Sequence, residues 1–245
     1  MHSLFSCQSP TDDGSSRASY IESTPPRRGS EASIRQLTVK EQSLDPAPGS
    51  GEDRCVSSFE AAGVHVTVDD ETLREQVSDP AALESWCILH PEDPRTVAYL
   101  RMLGRLDDAA TAGRRSLAAE GLSPVMRAVR RARYAQVLQW QGAFVAAEEQ
   151  LDLAAEETGL EDPTSPSSLS VLAGVFQHRA KCRFEHALAE HREGLHEAAA
   201  RRWEAALGDA RRALFMREGI GAADEGVIAS SRQTLARLSR QDLAA

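Results

Sequence analysis

The chain has 245 residues, 27% of them charged and only 5% aromatic, with a formal net charge of −9. So few aromatics point away from a β-sandwich and toward closely packed Ala- and Leu-rich helices. The acidic balance argues against wholesale nucleic-acid binding, which needs a positive footprint. No apolar run approaches the roughly 18 residues of a membrane span. The four cysteines, Cys7, Cys55, Cys87 and Cys182, are scattered without a CxxC pair. These features describe a cytoplasmic protein with reduced thiols and no membrane partner.

The first ten residues, MHSLFSCQSP, have no basic or apolar segment of a secretory signal. Residues 1–62 are rich in Ser, Pro and charge, as in Arg27-Arg28-Gly29-Ser30 and Pro46-Ala47-Pro48-Gly49. With too little apolar surface to offset backbone entropy, they predict a disordered N-terminal tail. Val64, Val66 and Val68 alternate with polar residues and suggest one extended piece, with no neighbour to pair with. Residues 63–92 otherwise read as short lead-in helices.

From Asp69 onward the punctuation is helical. Asp79-Pro80, Asp93-Pro94, Ser123-Pro124, Asp162-Pro163 and Ser165-Pro166 each set a capping side chain before a proline. The side chain accepts an orphan backbone N–H, and proline at the first helical position loses nothing. Helices are predicted at 70–77, 80–89, 94–103, 106–119, 124–141, 144–158, 167–190, 195–218 and 224–239.

Glycines organise the second half of the chain. Gly104 is followed by Leu106, Ala109 and Leu117; Gly142 by Phe144, Ala147, Leu151, Ala154 and Ala155; Gly194 by His196, Ala199, Trp203, Ala206 and Leu207. Each glycine would close the turn of an antiparallel hairpin. A small alanine five residues on lets the helices approach, and larger residues fill the space between hairpins. A short hairpin cannot bury its apolar faces alone, so hairpins of this kind stack.

The pattern resembles the tetratricopeptide repeat (TPR). Ala155–Val175 and Arg212–Leu238 resemble the longer repeats of kinesin light chains. The resemblance spans about Asp93 to Leu238, although the glycines are not evenly spaced and Glu190 falls where an apolar residue belongs. It implies an all-α, right-handed superhelical array of antiparallel hairpins over 93–245, with 224–239 as a C-terminal capping helix. It also implies a concave groove, lined by the first helix of each pair, that takes a partner's peptide. On this alignment Arg101, Arg133, Gln136, Gln139, Trp140, Gln177, His178 and Lys181 face that groove.

Other constellations carry less. Arg127, Arg130, Arg131 and Tyr134 share one helix face. They could bind an acidic peptide, or could be a solvated face whose stems cover apolar surface. His178, Cys182 and His186 are spaced at i, i+4 and i+8. At 1.5 Å rise per residue they span about 12 Å, too far for one ion. No HExxH, Walker loop, GxSxG or Rossmann fingerprint occurs, and no metal or cofactor is expected.

The sequence therefore predicts a non-enzymatic scaffold or adaptor holding an unknown protein or peptide partner in the groove. A first alternative is a regulatory sensor that binds a signalling peptide or small ligand and controls an effector such as a transcription factor. An enzyme built on the His178/Cys182/His186 face, and nucleic-acid binding through 127–133, rank behind these.

Overall fold

The structure, a computed structural model, describes residues 57–160, 162, 164–220 and 224–240. Three strands come first: β1 (Ser58–Ala61), β2 (Val64–Val68) and β3 (Glu75–Val77). Eight helices follow among the described residues: α1 (Pro80–Leu89), α2 (Thr96–Met102), α3 (Leu106–Leu117), α4 (Pro124–Trp140), α5 (Phe144–Thr158), α6 (Pro166–Arg192), α7 (His196–Gly219) and α8 (Glu225–Ser239). All belong to one unit, Ser50–Ala245. The expected disorder of residues 1–56 lies outside the described residues.

Capping chemistry starts the helices where the sequence placed them. Asp79 accepts the Ala82 N–H at 3.0 Å and Ser123 the Met126 N–H at 3.3 Å. Ser165 accepts the Ser168 N–H at 3.2 Å. In each case a proline opens the helix. At Asp93-Pro94 the pattern misled: Asp93 turns to Arg95 instead, with bonds of 2.8 to 3.0 Å, and α2 begins at Thr96. Asp162 likewise accepts from Thr164 at 2.9 Å, so α6 begins after Ser165.

The three glycine turns share one geometry. Gly104, Gly142 and Gly194 have φ of 74°, 77° and 79°. Each N–H reaches the carbonyl three residues back, and the following N–H reaches the carbonyl five back: Gly142 to Gln139 and Ala143 to Leu138, for example. This is the Schellman closure, with glycine in the left-handed position it requires. Three hairpins result, α2/α3, α4/α5 and α6/α7. The alanines five residues past each glycine, Ala109, Ala147 and Ala199, are fully buried. At Gly113 in α3, a Cβ would lie 2.5 Å from the Tyr134 ring, so glycine admits the α4 tyrosine there. Glu190, the polar intruder, is neutralised by Arg202 of α7 through two bonds of 3.0 Å. The first helices also touch in sequence, α2 on α4, α4 on α6 and α6 on α8.

Residues 57–78 correct the sequence reading. Val64–Val68 does have partners, pairing antiparallel with β1 (Phe59 opposite Val66) and β3 (Val66 opposite Val77). Residues 58–61 are therefore strand and not tail. The expected helix at 70–77 is a turn and a strand, so 63–92 contains one helix and not several. The physical reason is local. Asp69 accepts from the N–H groups of Glu71 and Thr72 at 3.2 and 2.7 Å, an Asx-type turn that competes with a helix. Leu73 follows with φ of 57°. The β1–β2 turn, Ala62-Gly63, has φ of 54° and 77°, as a two-residue hairpin requires.

The sheet lies across the first helices. Its inner valines pack with Leu83 and Cys87 of α1 and Val97 and Leu100 of α2. Leu73 reaches a second cluster with Phe184 of α6, Trp203 of α7 and Leu238 of α8. A third cluster, Ala128, Ala135, Ala147, Leu151 and Val175, binds α4, α5 and α6.

Candidate functional site

The inner face of the hairpins is occupied by the chain's own β-segment. On α2, Arg101 bonds both carboxylate oxygens of Glu75 in β3, at 2.7 and 3.1 Å. The α6 residue Lys181 donates to the Leu73 carbonyl at 3.2 Å. From α8, Gln233 donates to the Val68 carbonyl at 3.1 Å, and Arg237 donates to the Glu71 carbonyl at 2.9 Å. Arg74 pairs with Glu185 of α6 at 2.6 Å.

This segment does not fill the face completely. Between α2, α4, α6, the start of α8 and the sheet lies a cavity of about 560 Å³. Six of the eight predicted groove residues line it: Arg101, Arg133, Gln136, Gln177, His178 and Lys181. They come from three helices and meet here because α2, α4 and α6 stand side by side.

The other two lie elsewhere. Gln139 donates to Glu185 at 2.9 Å. Trp140 is flanked by Arg74 and Arg101, whose guanidinium carbons lie 5.0 and 4.6 Å from its ring centroid. Both line a second cleft of about 480 Å³ beside the β2–β3 turn.

Sequence reasoning missed Glu75, Arg217 and Val227, which also line the cavity. Nothing around Glu75 signalled a strand. Arg217 comes from the end of α7, which the repeat pattern assigns to the outer layer.

The cavity's electrostatics follow from burial. Desolvation tends to raise the Glu75 pKa, but Arg101 and Lys181 outweigh it and hold the carboxyl at about 2. Burial, reinforced by Lys181, Arg101 and Arg217, pushes His178 down to about 3 and keeps its imidazole neutral. Burial also lowers Arg133 and Lys181, and lowers Arg217 to about 10. Arg217 donates to Gln177, to Ser231 and to the Val227 carbonyl, the last at 2.9 Å.

The remaining constellations are taken up by the fold. Arg131 bonds Glu157 at 2.9 Å, Arg127 lies 4.0 Å from it, and Arg130 donates to the Ser116 carbonyl. The basic stripe is thus tied to its own chain. His178, Cys182 and His186 diverge. His178 faces the cavity, while Cys182 is fully buried against α4 and α5 with its thiol pKa pushed up by burial. His186 bonds Glu148 at 2.8 Å and stacks on Phe144. Among the described residues no helix is long and apolar enough to cross a membrane, and no three His, Cys, Asp or Glu side chains are grouped to hold a metal ion. No protein-family profile, curated protein or solved structure matches this chain.

Proposed function

We propose that the three hairpins and α8 form a right-handed TPR-like array. Its concave face makes the protein a non-enzymatic regulatory sensor that takes a small ligand in the inner cavity. The observation that carries this reading is the convergence of six groove residues on one 560 Å³ space roofed by residues of the β-segment. That volume is typical of small-molecule sites, which mix apolar walls with a few convergent polar groups. A peptide laid along the whole groove, as an adaptor would need, must displace residues 57–78, which ion pairs and backbone bonds from α2, α6 and α8 hold in place. The sensor alternative therefore takes precedence over the open-groove adaptor.

The test is native mass spectrometry of the full chain after incubation with a cellular metabolite extract. The wild type should carry a small-molecule adduct of a few hundred daltons. Ala98→Trp, which fills the cavity from its α2 wall, should not. No adduct on the wild type, or the same adduct on both proteins, would remove the support for this reading.

A further inference from the structure

Resting on the cavity being the ligand site, we infer that its ligand is an amphiphilic organic anion, with a carboxylate or phosphoryl head and an apolar body. Three acids line the cavity against four cations, a formal excess of one positive charge, and only Glu75 is tied to one of those cations. Glu75 is held by Arg101 at 2.7 Å, Glu60 accepts from His65 at 3.2 Å, and Asp224 caps the N–H of Gly226 at 2.7 Å. Of the four cations, only Arg101 pairs directly with a carboxylate among the described residues, while Lys181 feels Glu75 and Glu185 without an ion-pair contact. Arg133, Lys181 and Arg217 form no ion pair among the described residues.

Lys181 is only 8% exposed, and its single hydrogen bond among the described residues, to the Leu73 carbonyl, leaves two ammonium donors for another acceptor. Arg133 makes no side-chain hydrogen bond among the described residues. Asp93, the carboxylate that most favours its charged form, is already bonded to Arg95 at 2.8 Å. Lys181 is buried and Arg133 and Arg217 are half-buried; cations so placed without a direct ion pair are costly, and an anion supplied from outside would relieve that cost. His178, held neutral, adds no charge but can donate one hydrogen bond, and the amides of Gln136 and Gln177 stand nearby. The rest of the lining includes Phe59, Val68, Ala98, Met102 and Val227. These surfaces suit hydrocarbon, so a bare inorganic anion would use only part of the site.

The experiment titrates the full chain with decanoate, decyl phosphate and decanol below their aggregation limits, read by thermal shift and calorimetry. Either or both anions should raise the melting temperature while decanol does not, and the tighter head identifies carboxylate or phosphoryl as the natural group. Arg133→Gln should weaken the binding anion about tenfold, as loss of a charge-assisted bond does, with helicity by circular dichroism unchanged. Ala98→Trp should abolish binding. If decanol binds as tightly as the anions and Ala98→Trp abolishes it, the charge assignment is overturned while the cavity reading stands. If neither anion binds, the inference is overturned, and the cavity reading is decided separately by the metabolite-extract experiment.

Discussion

Arg101 of α2 holds Glu75 of β3 through two parallel hydrogen bonds of 2.7 and 3.1 Å. The arginine is 1% exposed, and its outer face lies against Trp140. The pair joins the β-segment to the first hairpin beside the cavity. Removing one partner leaves a buried charge alone, which costs about 3–5 kcal/mol. Arg101→Met should therefore lower the urea midpoint sharply. Adding Glu75→Gln should restore much of the loss, because neither charge of the pair then remains.

Stability should fall with acid in two stages. His178 has a folded pKa near 3 against an ordinary 6.5. Between those values the unfolded chain takes up a proton that the folded protein refuses, so this contribution is complete above pH 6.5 and fades as pH falls toward 3. Glu75, held near 2 against an ordinary 4.5, adds a second loss from pH 4.5 downward. One such group changes stability by at most about 1.4 kcal/mol per pH unit. Denaturant titrations from pH 7.5 to 5 should show a positive slope in the wild type. His178→Gln should flatten it in that interval and leave the lower stage.

Hairpin closure gives a third expectation. Gly142 sits at φ 77° with open space where a Cβ would go. Gly142→Ala should cost only backbone strain, about 1–2 kcal/mol. Gly113→Ala acts by a different route, since the new Cβ meets the Tyr134 ring at 2.5 Å. Overpacking of this kind costs about 1–3 kcal/mol. Tyr134→Leu should relieve the second change and not the first, which a double-mutant comparison by thermal melting would read.

Ala147 is fully buried within the α4–α5–α6 cluster. Ala147→Trp should overpack the α4/α5 hairpin and cost about 1–3 kcal/mol or more. An unchanged melting curve would contradict the small-residue contact that the glycine template assigns to this position.

Much of the helical layout was legible because its signals are local. A capping serine before proline and a left-handed glycine after the helix act within a few residues, and Ser123-Pro124 and Gly142 bound α4 accordingly. The β-segment was illegible for the opposite reason. Glu75-Gln76-Val77 becomes a strand only through register with Val66–Val68, and Asp69 redirects the chain between them by side-chain bonds that composition does not announce. Six residues of the cavity wall coincide with the repeat pattern's candidates, since Arg101, Arg133, Gln136, Gln177, His178 and Lys181 lie on α2, α4 and α6. What the pattern could not supply was the roof and the contributions of Arg217 and Val227 from α7 and α8. Glu75 consumes Arg101 and residues 71–74 approach Gln139 and Trp140, so an open trough becomes a bounded space.

The most direct measurement of the cavity as a ligand site is methyl NMR of the full chain labelled at its methionines. Met102 lines the cavity, whereas Met126 stands half-exposed near the start of α4, outside its lining. Titration with the tighter-binding of decanoate and decyl phosphate should move the Met102 signal in a saturable way and leave Met126 in place. A Met102 signal that stays fixed while the protein binds that anion would contradict the account, because binding would then lie outside the cavity.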